Sequence, residues 1–261
     1  MHLFPGKTDP RCSGLYLLDP VSFALEVLGL TLMPFQVKAL DPRVVQGLLN
    51  CSRQAGKTLA MAIKAVHLAF LLPDTVVAVL CPTARQAGEF FEKVRMLMTR
   101  LDVRVVGDGH NAISACFPNG SRIVGLPAGA KVRGVSAVNL LIVDEAAEVP
   151  DEAYHAVTPM LATTAGKGAG GQWLISTPMG KRGFFWQTWA EGGDGWTRLS
   201  VPASEIPRIN PAWLESQRLA KGELRFRQEF CCEFLDTPDS LFREDFIRRA
   251  IRKEVPKLWA A

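Results

Sequence analysis

An apolar run from Val44 to Leu49 leads into Cys51-Ser52-Arg53-Gln54-Ala55-Gly56-Lys57-Thr58, and an apolar-periodic segment follows from Leu59 to Leu72. Strand, turn and helix in that order, with Gly-Lys-Thr at the turn, form a phosphate-binding layout. Backbone N–H groups of such a loop and of the helix N-terminus point at phosphate oxygens. Lys57 would reach the outer phosphates as a compact charge, and Thr58 would place its hydroxyl on Mg²⁺. One position departs from the usual G-x-x-x-x-G-K-[ST] pattern: Cys51 stands where the first glycine is expected. The Gly-Lys-Thr tripeptide also occurs in ordinary loops, so a second site has to agree with it.

Asn139 to Glu148 supplies that site, reading Asn-Leu-Leu-Ile-Val-Asp-Glu-Ala-Ala-Glu. Leu140 to Val143 fits a strand buried on both faces of a parallel sheet. Asp144 and Glu145 follow at its C-terminal end, the edge where open α/β sheets place ligands. Asp144 is expected to hold Mg²⁺ and Glu145 to orient and deprotonate an attacking water. The alternative is a buried strand that simply ends in a solvated acidic turn. A Gly-Lys-Thr loop in the same chain favours the nucleotide site.

The chain has 261 residues, 48% of them hydrophobic, enough for one large α/β domain with a small appendage. Thirty Lys and Arg against 26 Asp and Glu leave a net charge of +4, which permits an anionic partner without demanding one. The six cysteines form no C-x-x-C and no metal-like pairing with the histidines, and read as reduced thiols of a cytoplasmic protein. No signal peptide is visible, and no apolar run reaches the length of a membrane span.

Residues 1–20 read as irregular, and Val21 to Leu28 as a short helix. A second helix opens near Pro34, a residue suited to a first turn. Thr75 to Cys81 reads as a strand, Ala84 to Leu101 as a helix and Arg104 to Val106 as a short strand. Ala112 to Phe117 and Ser121 to Leu126 flank Pro118-Asn119-Gly120 as a hairpin. Gly129 to Ser136 reads as a small basic loop, Asp151 to Leu161 as helical, and Gly166 to Gly171 as a glycine-dense, mobile stretch. Gln172 to Ser176 and Trp196 to Val201 are the remaining strands. Beyond Pro202, Trp213 to Leu235 and Ser240 to Lys253 read as helices. Alternating strands and helices imply a mainly parallel sheet covered on both faces.

Several segments together resemble the ATPase domain of the large terminase subunit, the motor that packages viral DNA. Cys-Ser-Arg-Gln-Ala-Gly-Lys-Thr resembles that family's deviant phosphate loop, and Leu-Leu-Ile-Val-Asp-Glu-Ala its Walker B strand. Ile175-Ser176-Thr177-Pro178 is similar to its coupling motif, and Cys81-Pro82-Thr83 with Gln86-Ala87 to the segment after its next strand. Phe226-Arg227-Gln228-Glu229-Phe230 with Glu233-Phe234 resembles the end of its lid. The pieces occur in the family's order from about Phe35 to about Phe242.

The resemblance implies a P-loop NTPase of the additional-strand, catalytic-glutamate (ASCE) type, with an ATPase core at 1–202, a lid at 203–242 and a basic linker or tail at 243–261. It implies ATP and Mg²⁺ as ligands, held by Ser52, Arg53, Gln54, Ala55, Gly56, Lys57 and Thr58, with Asp144 sharing the metal. Arg53 would act in cis on the γ-phosphate; otherwise it is a surface arginine before the turn. Gln36 matches an adenine-reading glutamine, since one amide offers both donor and acceptor; the other reading is a plain helix-surface residue. Arg133 matches an arginine finger acting on the neighbouring subunit, or is an exposed loop arginine. Ser176 and Thr177 would sense the γ-phosphate, or merely cap a strand.

Implied partners are double-stranded DNA, a portal protein, a small terminase subunit and further copies of the chain in a pentameric ring within the host cytoplasm, with no membrane. The family's nuclease half is not expected here, because after Phe242 the candidate is Asp245 beside a basic helix and no carboxylate cluster is read. That helix is expected to be an amphipathic linker rather than a DNA contact. Two other classes stay open: a superfamily-2-like helicase or remodelling ATPase, which normally carries a second motor domain, and a non-hydrolysing nucleotide-binding assembly module, suggested by Cys51.

Overall fold

The computed structural model describes residues 14–111, 113–129, 135–164 and 171–236. Seven strands form one sheet: β1 (Gln46–Cys51), β2 (Val76–Cys81), β3 (Ser114–Cys116), β4 (Arg122–Pro127), β5 (Leu140–Asp144), β6 (Gly171–Ser176) and β7 (Thr197–Val201). Their order is β3-β4-β2-β5-β6-β1-β7, and every pairing is parallel except β3 with β4. β6 therefore stands between the strand that feeds the phosphate loop and the strand that carries Asp144. All three of these strands end on the same edge, which is where parallel topology puts a ligand.

Period-2 alternation splits the strand residues between two cores. Leu49, Val77, Val79, Leu140, Ile142, Trp173 and Ile175 face one cluster, while Leu48, Ala78, Leu80, Leu141, Val143 and Leu174 face the other. The first cluster is covered by α3 (Pro34–Leu40), α4 (Lys57–Leu71) and α5 (Ala84–Arg100). The second is covered by α6 (Asp151–Val157) and α7 (Gly183–Glu191). Burial on both faces explains why the strands are near-continuous apolar runs. Helix α4 is buried along almost its whole length, so it shows little amphipathic patterning. Helix α5 buries only Ala87, Phe90, Phe91, Val94, Leu97 and Met98 on one side, and Thr83 caps it by accepting from Gln86 N–H at 3.2 Å.

Several expectations need correction. Gly14–Leu18 forms a short helix (α1) inside the stretch read as irregular. Val21 to Leu28 is not one regular helix: Pro20–Ser22 (α2) passes into a π-turn over Phe23–Val27. Arg104 to Val106 makes no strand, only a bridge from Val106 to Cys116. The 151–161 helix tightens to a 3₁₀ turn at Thr158–Leu161, where Pro159 lacks the N–H that α geometry needs. Helix α7 has no counterpart among the sequence expectations. The 213–235 helix is two, α8 (Pro211–Lys221) and α9 (Glu223–Cys231), broken at Gly222 with φ +78°. The hairpin forms as expected, β3 pairing antiparallel with β4. Most of the 129–136 loop, most of the 166–171 stretch and the whole 240–253 helix lie outside the described residues, and so does Arg133. Among the described residues no helix is long and apolar enough to cross a membrane.

Candidate active site

β1 runs to Cys51, whose position is a strand position: it pairs with Val201 of β7, is fully buried, and its thiol is pushed up by that burial. The missing glycine of the sequence pattern thus falls where the backbone is extended and a side chain is tolerated. The turn proper is Ser52 to Gly56, and left-handed backbone occurs there at Gln54 (φ +64°) and Gly56 (φ +96°). A β-carbon on Gly56 would lie 3.2 Å from Gln36 Nε2 and 3.3 Å from the Arg208 guanidinium, so that position is closely walled. Helix α4 then presents its first N–H groups, which have no acceptors inside the helix, toward the cleft.

Lys57 is 7% exposed, and a lysine so enclosed needs a partner. Glu145 Oε1 provides it at 3.0 Å from Nζ. Glu145 follows the end of β5 with φ +51°, a left-handed conformation that costs a residue with a β-carbon about 1–2 kcal/mol. Its other oxygen sits 3.5 Å from the Ser176 hydroxyl, at the end of β6. Ser176 Oγ also accepts from Ala147 N–H at 3.1 Å, and Thr177 Oγ1 donates to the Cys51 carbonyl at 2.9 Å. The segment expected to couple therefore touches both the carboxylate and the start of the phosphate loop.

Asp144 is 5% exposed. Burial raises its carboxyl to about 6, and the Glu145 charge adds to that; Lys57, the Glu145 N–H and the Thr58 hydroxyl pull the other way. The Thr58 hydroxyl thus lies near enough to the Asp144 carboxyl to favour its charged form. Ser52 is fully buried, and its hydroxyl has no partner among the described residues. A buried hydroxyl without a partner is unusual enough to point to a ligand. Orphaned hydroxyl, the oxygens of Thr58 and Asp144, and a helix N-terminus together fit a phosphate with a hard cation on oxygen donors.

The cleft beside these groups is about 780 Å³, with Arg53, Lys57, Glu145 and Thr177 among its walls. Arg53 is exposed and points to Glu229 of α9, 3.7 Å from Nε to Oε2. Gln36 is buried rather than on a helix surface: Oε1 accepts from Met33 N–H at 2.9 Å and Nε2 donates to the Gly56 carbonyl at 3.2 Å. Its amide is fixed against the loop by those two bonds, with one hydrogen and lone-pair capacity left over. Ala55 is buried at the centre of the turn, its N–H 3.4 Å from the Ser52 carbonyl.

Sequence reasoning missed four contributors. Arg208 bonds the Gln54 carbonyl and lies 3.3 Å from Met33 Sδ. Gln86 donates to Glu148 at 3.1 Å, tying α5 to the turn after β5. Gln228 and Glu229 reach the site from α9, and only the resemblance flagged their segment and that of Gln86. Nothing in spacing marks any of the four, because each arrives from a distant element.

The family described as terminase large subunit, T4likevirus-type, N-terminal, matches residues 48–249 of the chain. A large terminase subunit of Thermus phage G20c is 27% identical over 227 aligned residues, covering 73% of this chain and 46% of its own length. That of Thermus virus P23-45 is 26% identical with the same coverage. The chain spans about half the length of these curated relatives. Among solved structures, the large terminase ATPase domain of Thermus phage P74-26 superposes with a TM-score of 0.70 at 23% identity, over 82% of this chain and 98% of that one. The large terminase of bacteriophage HK97 gives 0.63 at 18% identity, over 78% of this chain and 51% of that one.

Proposed function

The chain belongs to the family of T4likevirus-type large terminase subunits, in their N-terminal part, and on that premise we propose that it hydrolyses ATP to drive double-stranded DNA into a viral procapsid. The observation that carries the hydrolytic reading is the convergence of Lys57 on Glu145 at 3.0 Å, with Asp144 beside them. Relatives support the substrate: the large terminase of a thermophilic bacteriophage has been solved with ATP-gamma-S and with ADP.

In this reading Lys57 and the loop N–H groups bind the β- and γ-phosphates, and Arg53 adds charge in cis. Thr58 and Asp144 would hold Mg²⁺, which would supply charge neutralisation on the phosphates. Binding draws Lys57 toward phosphate and leaves Glu145 to orient water for in-line attack and accept its proton. Ser176 and Thr177 lie between Glu145 and the loop, so loss of the γ-phosphate alters both of their contacts. Gln36 fixes the loop and lends its remaining amide capacity to adenine. Arg133 completes the site of a neighbouring copy in a ring, residues 203–242, which include α8 and α9, act as the lid, and portal, small subunit and DNA engage the assembly in the host cytoplasm. The Cys51 departure no longer argues for a non-hydrolysing module, because it falls on the strand.

The test is phosphate release from MgATP across a protein-concentration series. Glu145→Gln should bind ATP as wild type does yet lower turnover by about 10²-fold or more, and Lys57→Ala should lose binding. Release that rises faster than linearly with protein concentration supports a finger in trans. Undiminished turnover in Glu145→Gln removes the assigned base.

A further inference from the structure

Helix α9 touches the nucleotide cleft at one turn, and the contacts there are of a particular kind. Arg53 meets Glu229 twice: its backbone N–H lies 3.4 Å from the Glu229 carbonyl, and its guanidinium 3.7 Å from the Glu229 carboxylate. The carbonyl is available because it belongs to the last turn of α9, where carbonyls lack partners within the helix. The adjacent residue, Gln228, accepts from Gly180 N–H at 3.1 Å, just past Ser176 and Thr177. Lys221, the last residue of α8, is also paired with the Glu229 carboxylate and rests over the Phe230 ring at 5.3 Å.

We propose that Glu229 is the positioning residue for Arg53, holding the loop arginine in competition with the γ-phosphate, so that ATP but not ADP releases it. The proposal rests on the ATPase reading above. Three features support exchange over a fixed staple. The Arg53 side chain is 62% exposed, and an exposed pair at 3.7 Å is worth little, so a phosphate oxygen with full charge outbids it. Lys221 keeps the Glu229 carboxylate paired after Arg53 leaves, so no buried charge is stranded. Gln228 ties the same helical turn to the coupling segment, so what Arg53 does is felt where Ser176 and Thr177 report. Glu229 acts through Arg53 and touches no reacting atom.

The experiment compares equilibrium binding of a non-hydrolysable ATP analogue and of ADP, both with Mg²⁺, by displacement of a fluorescent nucleotide. Glu229→Gln removes the competitor and should tighten the analogue about two- to fivefold while leaving ADP unchanged. Glu229→Asp, which keeps the charge, should restore the wild-type ratio at least in part. In an Arg53→Ala background Glu229→Gln should have no effect on either ligand. A merely structural role would move both nucleotides together and would persist without Arg53; either result overturns the proposal. Should Glu229→Gln fail to fold, wild-type amide exchange over residues 223–232 carries the test. Protection there should differ between analogue and ADP, and that difference should vanish in Arg53→Ala; equal protection overturns the proposal. A wild type that binds neither nucleotide would instead sink the ATPase reading itself.

Discussion

Gly47→Ala should destabilise the whole domain, and the reason lies in one ring. Gly47 of β1 pairs in register with Trp173 of β6. A β-carbon on Gly47 would lie 2.4–2.5 Å from three carbons of the Trp173 six-membered ring, where ordinary contact is 3.4–4 Å. The ring must therefore retreat by about 1 Å. It is fully buried, and Lys64 of α4 sits over it at 5.2 Å from the centroid. Both neighbours of β1 are hydrogen-bonded strands, so the backbone cannot yield either. Overpacking of this kind costs about 1–3 kcal/mol, and the lack of escape puts the expected cost near the upper end. For a domain of this size that lowers the melting temperature by about 6–12 °C. Thermal unfolding by circular dichroism should be run on Gly47→Ala, Trp173→Leu and the double variant. Trp173→Leu alone costs stability by leaving a cavity. In its background Gly47→Ala should cost under about 1 kcal/mol, a coupling of roughly 2 kcal/mol. A single variant within about 2 °C of wild type, or an equal cost with and without the ring, would refute the steric account.

Two further perturbations read out other parts of the fold. Asn119, in the hairpin turn, donates through Nδ2 to the carbonyls of Ala69, Phe70 and Leu72 at 3.0–3.3 Å, closing the C-terminal end of α4. Asn119→Ala should cost about 1–2 kcal/mol in urea unfolding. Asn119→Asp, which has no donor, should cost at least as much; wild-type stability in both would remove the cap. His67 is buried, its Nε2 2.8 Å from the Tyr16 carbonyl and its ring edge-on to Phe23. Burial lowers it to about 4, with nearby Lys64 pushing the same way, the Tyr16 carbonyl and Asp19 opposing. Because the folded value lies below the unfolded 6.5, the unfolded chain binds the proton first. Stability is then full above about pH 6.5 and falls by about 3 kcal/mol on the way to pH 4. Asp144, raised to about 6, contributes with the opposite sign over an overlapping range, so the comparison should be with His67→Gln, which keeps a donor and does not titrate. A pH dependence identical in the two proteins would show that His67 carries none of it.

The parts of this chain that are legible in its sequence are those whose signal is local. The phosphate loop announces itself because strand, loop and helix are contiguous. Asp144 and Glu145 do so because a four-residue apolar run ends at them. Helix α5 shows a clean apolar face because only one side packs. The rest is hidden for physical reasons. Helix α7 has aromatics on a nine-residue span opened by Gly183 at φ +70°, too short and glycine-bounded for periodicity to separate it from a loop. The 213–235 segment reads as one helix through Gly222 because its charge pattern continues across the break. Gln36 offers no local hint that it is buried; its amide is claimed by Met33 and by Gly56, twenty residues on. Arg208, Gln228 and Glu229 become site residues only once the chain has closed on itself.

The backbone strain of the site is equally invisible in sequence, and its distribution is informative. Six residues other than glycine have positive φ among those described. Asp102 and Cys232 closely follow α5 and α9, and Asp74 falls in the turn after α4, where a left-handed residue is the ordinary way to stop a helix. Ala137 lies in the turn into β5. Gln54 and Glu145 do neither job: one lies inside the phosphate loop and the other just past the Asp144 strand, on the same sheet edge. Left-handed backbone at Glu145 is what turns its side chain from the strand axis back to Lys57 and Ser176. Without it, the residue after Asp144 would continue the strand and point away from the loop. The fold accepts about 1–2 kcal/mol at each position where an asparagine or glycine would sit more easily, and neither substitute could serve as a base at position 145. Strain retained at a carboxylate within reach of the loop lysine, when cheaper residues exist, is better explained by chemistry at that edge than by folding.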